Sequence, residues 1–159
     1  MRLRNVLLVI ALFLCASGAY AQSPTPYGTP VSVDDAKRVA AAALAEARKN
    51  NWNVAVAIVD ISGNLVYFEK MDDTHLGSVN VSITKARSAA LFRRPTKAFQ
   101  DVLAAGGEGL RILSLEGAVP LEGGLPIVIG GRIVGAIGVS GVTSQQDGQV
   151  ALAGVNAVR

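Results

Sequence analysis

The side chains with chemical reach gather in one stretch of this chain. Met71, Asp72, Asp73 and His75 form a polar run, Lys85 and Arg87 come after it, and Arg93, Arg94 and Thr96 close it. On a helix, Lys85 and Arg87 project about 200° apart, which leaves one for a pocket and the other for solvent or a partner subunit. A cation beside an apolar, glycine-lined surface suits a ligand carrying a carboxylate on an apolar body; an ordinary solvated basic face fits the same residues. A desolvated lysine can also work as a general acid or base. In that reading Lys85 is the titrating group and Asp60 or Glu122 its partner.

The counts narrow the field. The 159 residues include one Cys and one His, so no internal disulfide forms and no site draws two imidazoles from one chain. Asp72, Asp73 and His75 make at most a lone metal site, and a surface-loop histidine is the simpler account. Met71 and His75 are also side-chain types that serve as axial ligands of haem iron. Gly138-Val139-Ser140-Gly141 is followed by Val142, where a nucleophile elbow needs glycine, and no local base serves Ser140. Gly106-Gly107-Glu108-Gly109 lacks the Lys-Ser/Thr of a phosphate loop. Gly135, Gly138 and Gly141 lie in an apolar strand, where glycine costs backbone entropy and is useful if something must come close. A ligand and the Ala-rich helices are equal candidates for that neighbour.

These residues need elements to position them. Ser32 opens a helix whose apolar stripe is Ala36, Val39, Ala40, Ala43, Leu44 and Ala47. Val54 to Val59 reads as a strand buried on both faces, Asp60 to Asn64 as a turn, and Leu65 to Phe68 as the return strand. Ser78 opens a second helix with Val79, Ile83, Ala86 and Ala90 inward, and Pro95 stops it. Thr96 starts a short helix carrying Phe99, and Gly106 to Gly109 is a loop. Gly130-Gly131 joins two further strands in a hairpin, and Thr143-x-x-Gln146 caps a last helix. The order α-β-β-α-α-β-β-α predicts a single α+β domain, an antiparallel sheet of about five strands flanked by helices.

The N-terminus sets the context. Arg2 and Arg4 precede the apolar run Val6 to Ala16, and Ala19-Tyr20-Ala21 is a small-x-small cleavage site. This is the pattern of a secretory signal peptide over residues 1–21. The run rises only about 16 Å as a helix, too short to span a bilayer, so no stable membrane span is expected after cleavage. Cleavage removes Arg2, Arg4 and Cys15. It takes two cations from the 15 Lys+Arg that stand against 12 Asp+Glu, leaving a near-neutral, cysteine-free chain. A basic nucleic-acid binder is therefore disfavoured, and a periplasmic or secreted location is expected. Residues 22–31, with Pro24, Pro26 and Pro30, read as a disordered or extended leader before a domain over 32–159.

Four ordered blocks resemble the GlcG/HbpS family of haem-binding proteins, also described as a haem-degrading domain. Val59 to Asp72 matches its VD-x-x-G-x-L-V-x-F-x-R-M-D block. Ser78 with Lys85-Ala86-Arg87-Ser88-Ala89 is similar to its S…KA-x-T-A helix, with Ser88 in place of threonine. Gly123 to Ile127 matches GG-x-P-I, and Gly135 to Gly141 matches G-x-I-G-V-S-G. The resemblance covers about residues 32–158. It implies a profilin-like fold, homo-oligomers from dimer to octamer, and a small-molecule ligand, with haem the suspected cofactor. Other members belong to glycolate- or propanediol-pathway settings, which implies as an alternative an enzyme or accessory protein acting on a small carboxylate. Carried onto this chain, the resemblance has Lys85 or Arg87 meet ligand carboxylates. Gly123, Gly124 and Gly138 permit close approach, and Thr96 or His75 is expected near the metal, a threonine oxygen being implicated in haem ligation in the family. No family histidine maps onto His75, so His75 and Met71 stand near the iron by residue type alone.

Overall fold

The structure is a computed structural model that describes residues 24–159. The proposed signal peptide, residues 1–21, lies outside the described residues. The elements come in the expected order: α1 (Val33–Lys49), β1 (Ala55–Asp60), β2 (Leu65–Lys70), α2 (Ser78–Phe92), α3 (Lys97–Ala104), β3 (Gly124–Ile129), β4 (Arg132–Ser140) and α4 (Ser144–Asn156). Gly107–Ser114 is a 3₁₀ helix rather than the loop its glycines suggested.

The sheet has four antiparallel strands in the order β2-β1-β4-β3, not about five. The segment that falls short of a fifth strand is the leader. It makes a single parallel bridge, Tyr27 to Ile133, beside the end of β4 that projects past β1. Pro24, Pro26 and Pro30 lack the N–H groups a ladder needs, so pairing cannot extend.

Helices cover both faces. The α1 stripe is buried as its spacing predicts, and Ser32 caps α1 by accepting the Asp35 N–H at 3.1 Å. With α4, α1 packs on Val56, Ile58, Ile137 and Val139. The alternate residues of the same strands, Ala57, Val59 and Ala136, face α2. The buried residues of α2 are Ser78, Ser82, Lys85, Ala86, Ser88, Ala89 and Ala90, while Val79 and Ile83 are only half-buried. The reason is β4. A methyl at Gly138 would sit 2.0 Å from the Ser82 carbonyl oxygen and 2.5 Å from the Ala86 nitrogen, so only the small face of α2 fits there. Helix crowding, not an open ligand surface, occupies the space above Gly138. No described helix is long and apolar enough to cross a membrane.

Gly138→Val therefore lowers unfolding stability by about 2–3 kcal/mol or more through overpacking, measurable as a reduced urea midpoint.

Candidate functional site

Lys85 points into the protein. It is 2% exposed, and its ammonium donates to Asp147 Oδ2 at 2.7 Å and to the Val139 carbonyl at 3.0 Å. A lysine is almost never buried without such a partner. Asp147 stands in the first turn of α4, behind the expected Thr143/Gln146 capping box, and its Oδ1 accepts the Val142 N–H at 3.2 Å. Burial pushes the Asp147 carboxyl above its ordinary value, against the opposing pull of the Lys85 ammonium and the Val142 and Gly141 N–H groups. The pair pins α2, the end of β4 and α4 together.

The segment before β3 closes over this pair. Gly123 adopts φ +125°, and a methyl on it would lie 2.9 Å from Lys85 Nζ and 2.7 Å from the Val139 oxygen. A methyl on Gly124 would meet the Lys85 carbonyl at 2.5 Å and Thr96 Cγ2 at 2.6 Å. Thr96 is fully buried. Its Oγ1 accepts the Gly124 N–H at 2.9 Å, and its own N–H donates to the Gly124 carbonyl at 3.0 Å. The half-buried Glu122 lies over Gly148, next to Asp147, with Oε1 2.6 Å from where a methyl there would be.

The structure thus brings Lys85, Thr96, Glu122, Gly123 and Gly124 together around Asp147, the residue that sequence reasoning missed. An acid in a first helical turn is ordinary dipole chemistry, so nothing local marked it. The other candidates sit elsewhere. Arg87 is exposed and donates through Nε to the Gly63 carbonyl at 3.0 Å. Asp60 organises the β1–β2 turn, accepting the Ser62 and Asn64 N–H groups at 2.8 and 2.9 Å. His75 is exposed just before α2, with Ser78 Oγ 2.9 Å from Nε2. Met71 is half-buried and lines a polar cleft of about 440 Å³ with Arg48, Lys70 and Asp72. Among the described residues, no three His, Cys, Asp or Glu side chains gather to hold a metal.

A second cleft opens at the far end of α2. It measures about 400 Å³ and lies between β3, α4 and the leader. Leu125, Pro126, Val128, Leu152 and Val155 give it an apolar lining, Thr25 and Pro95 border it, and Arg93 and Arg159 are its two cationic residues. Neither arginine forms an ion pair with a carboxylate among the described residues. Arg93 ends α2 with φ +52°, the left-handed conformation usually left to glycine. The 15 residues of α2 span about 22 Å, so His75 and this cleft stand at opposite ends of the helix.

With the geometry in view, the lineage is plain. The model of the family described as haem degrading protein HbpS-like matches residues 31–156. The chain belongs to the HbpS-like family. It is 43% identical over 105 residues to protein GlcG of Escherichia coli strain K12, covering 66% of this chain and 77% of GlcG. The crystal structure of HbpS superposes with a TM-score of 0.75 at 29% identity, over 83% of this chain and 92% of that one. The crystal structure of a PduOC:haem complex superposes at 0.73 and 26% identity, over 82% and 96%.

Two outcomes test this geometry. Asp147→Ala leaves the Lys85 ammonium buried without its counter-charge and costs about 3–5 kcal/mol in urea unfolding. Lys85→Met combined with Asp147→Leu costs far less than the two single changes together. Burial raises the Asp60 carboxyl, but hydrogen bonds from Asn64 and Ser62 outweigh it and hold the net value below the ordinary 3.8. Asp60 therefore stabilises the fold fully above its unfolded value and loses that contribution as pH falls through its folded one. Asp60→Asn lowers Tm at neutral pH, and its difference from wild type shrinks as pH falls below the ordinary aspartate value.

Proposed function

We propose that this chain is an exported, oligomeric haem- or tetrapyrrole-binding protein whose ligand sits in the Arg93–Arg159 cleft. The observation that carries the reading is that cleft: an apolar lining beside Arg93 and Arg159, neither of whose side chains forms an ion pair among the described residues. A porphyrin presents an apolar face and carboxylates, and guanidinium pairs with carboxylate through strong, directional hydrogen bonds. Membership of the HbpS-like family, and likeness to a protein solved as a haem complex, favour a tetrapyrrole over other carboxylates.

The residues fit such a ligand in defined ways. Arg93 and Arg159 would hold the carboxylates, and Leu125, Pro126 and Val155 would flank the ring. Of the lining side chains, Thr25 carries the oxygen able to approach a metal. Haem iron, when bound, supplies redox and dioxygen chemistry. Lys85 and Thr96 act from beneath, by holding the Gly123-Gly124 segment that leads into the β3 wall. His75 or Met71 would reach the same ligand only from a second copy of the chain, given the length of α2. Exposed Leu110, Leu113, Leu115 and Leu121 on the 3₁₀ helix and the loop after it are the apolar surface an oligomer would bury. Export rests on the Ala19-Tyr20-Ala21 signal. A second reading, binding or turnover of a small carboxylate metabolite, draws on the same two arginines.

Purified protein titrated with haemin shows a shifted Soret band at micromolar haemin. Arg93→Ala combined with Arg159→Ala weakens binding about tenfold or more, as loss of charge-assisted bonds predicts. Absence of a Soret shift sinks the tetrapyrrole reading and leaves the small-carboxylate one.

A further inference from the structure

The leader is built into the cleft. Ile133 N–H donates to the Pro26 carbonyl at 2.9 Å, Gly28 N–H to the Ile133 carbonyl at 2.8 Å, and Val31 N–H to the Val134 carbonyl at 2.7 Å. These bonds hold Tyr27 against the end of α2. There its hydroxyl lies 2.8 Å from the Ala90 carbonyl and 3.2 Å from the Leu91 carbonyl. The Ala90 carbonyl also accepts the Arg93 N–H at 3.3 Å, so Tyr27 adds a second donor to the capped end of the helix. Its ring carries the Arg93 guanidinium at 5.2 Å from the centroid. Two residues earlier, Thr25 lines the cleft itself.

Arg93 is the left-handed C-cap of α2, where its own N–H and that of Arg94 close the Ala90 and Ala89 carbonyls at 3.3 Å. A non-glycine residue in the left-handed region is strained, and such strain persists where the surroundings over-determine it. At Arg93 the surroundings are those C-cap bonds, the Tyr27 ring and the α2 end that Tyr27 binds. A guanidinium laid against an aromatic ring uses its face and leaves its N–H edge for a carboxylate.

We infer that Tyr27 is the positioning residue for carboxylate recognition by Arg93, so that the leader is a working part of the ligand site. The inference rests on the proposed ligand cleft, and it concerns any apolar ligand that carries a carboxylate. Tyr27 need not touch that ligand. It fixes where the guanidinium waits.

The test compares haemin with haemin dimethyl ester, which has the same ring and no free carboxylate. Tyr27→Leu weakens haemin binding three- to tenfold and leaves the ester's affinity unchanged. Tyr27→Trp, which keeps a ring under the guanidinium, restores haemin affinity. Equal weakening of both ligands means a merely structural role and overturns the inference, as does unchanged haemin affinity in Tyr27→Leu. A ligand-free readout runs beside it: the Arg93 Nε–H resonance carries a ring-current shift that Tyr27→Leu abolishes and Tyr27→Trp retains. If wild type binds no haemin, the tetrapyrrole reading fails. The Tyr27–Arg93 arrangement then stands or falls on that resonance, and an unshifted Arg93 signal in wild type overturns it.

Discussion

Helix α2 meets β1 and β4 largely through small side chains. Ala86, Ala89 and Ala90 face Ala57, Ala136 and the bare backbone of Gly138, so helix and strand approach to backbone distance. The rest of the site depends on that approach. It carries Lys85 deep enough to reach the Val139 carbonyl and Asp147, and it sets the line along which the two ends of α2 present His75 and Arg93. A larger side chain at Gly138 would lift α2 and withdraw the lysine from both partners.

The pair formed by Lys85 and Asp147 is costly to bury and costlier to break. Removing two charges from water opposes folding, and their attraction with the added Val139 and Val142 hydrogen bonds offsets much of that. Its structural effect is directional, because an ammonium and a carboxylate accept few alternative neighbours in an apolar interior. Gly123 and Gly124 then lie over the pair without side chains, and Thr96 holds Gly124 from the other side. The wall of the Arg93–Arg159 cleft begins at that held segment, since β3 starts at Gly124. A buried polar cluster and an exposed cleft thus share one stretch of backbone.

The α2 helix also separates two kinds of surface. Its N-terminal end, with His75 and nearby Met71, borders acidic and basic side chains around a polar cleft. Its C-terminal end, with Arg93, borders aliphatic side chains of β3 and α4. A ligand with an apolar body and carboxylates matches the second end. The leader completes that end from outside the sheet, with Tyr27 closing the helix and bracing the arginine.

The elements and their order were legible in the chain read residue by residue. The α1 stripe, the doubly buried β1, the Gly130-Gly131 turn and the Thr143/Gln146 cap arise from local periodicity and turn chemistry, which act over a few residues. The four family blocks were legible for the same reason: each is a contiguous run. Lys85 and its glycines stood out as a set, but the partner of Lys85 did not. Asp147 is 62 positions away, and only the packing of α4 beside β4 makes them neighbours. Tyr27 and Arg93 are likewise joined only when the leader docks on β4. Proline in the leader spoke against a strand, yet it could not say that the segment would dock. Folding alone settled which cations are buried and which are open to a ligand, because burial and charge pairing depend on residues that only the folded chain brings into contact.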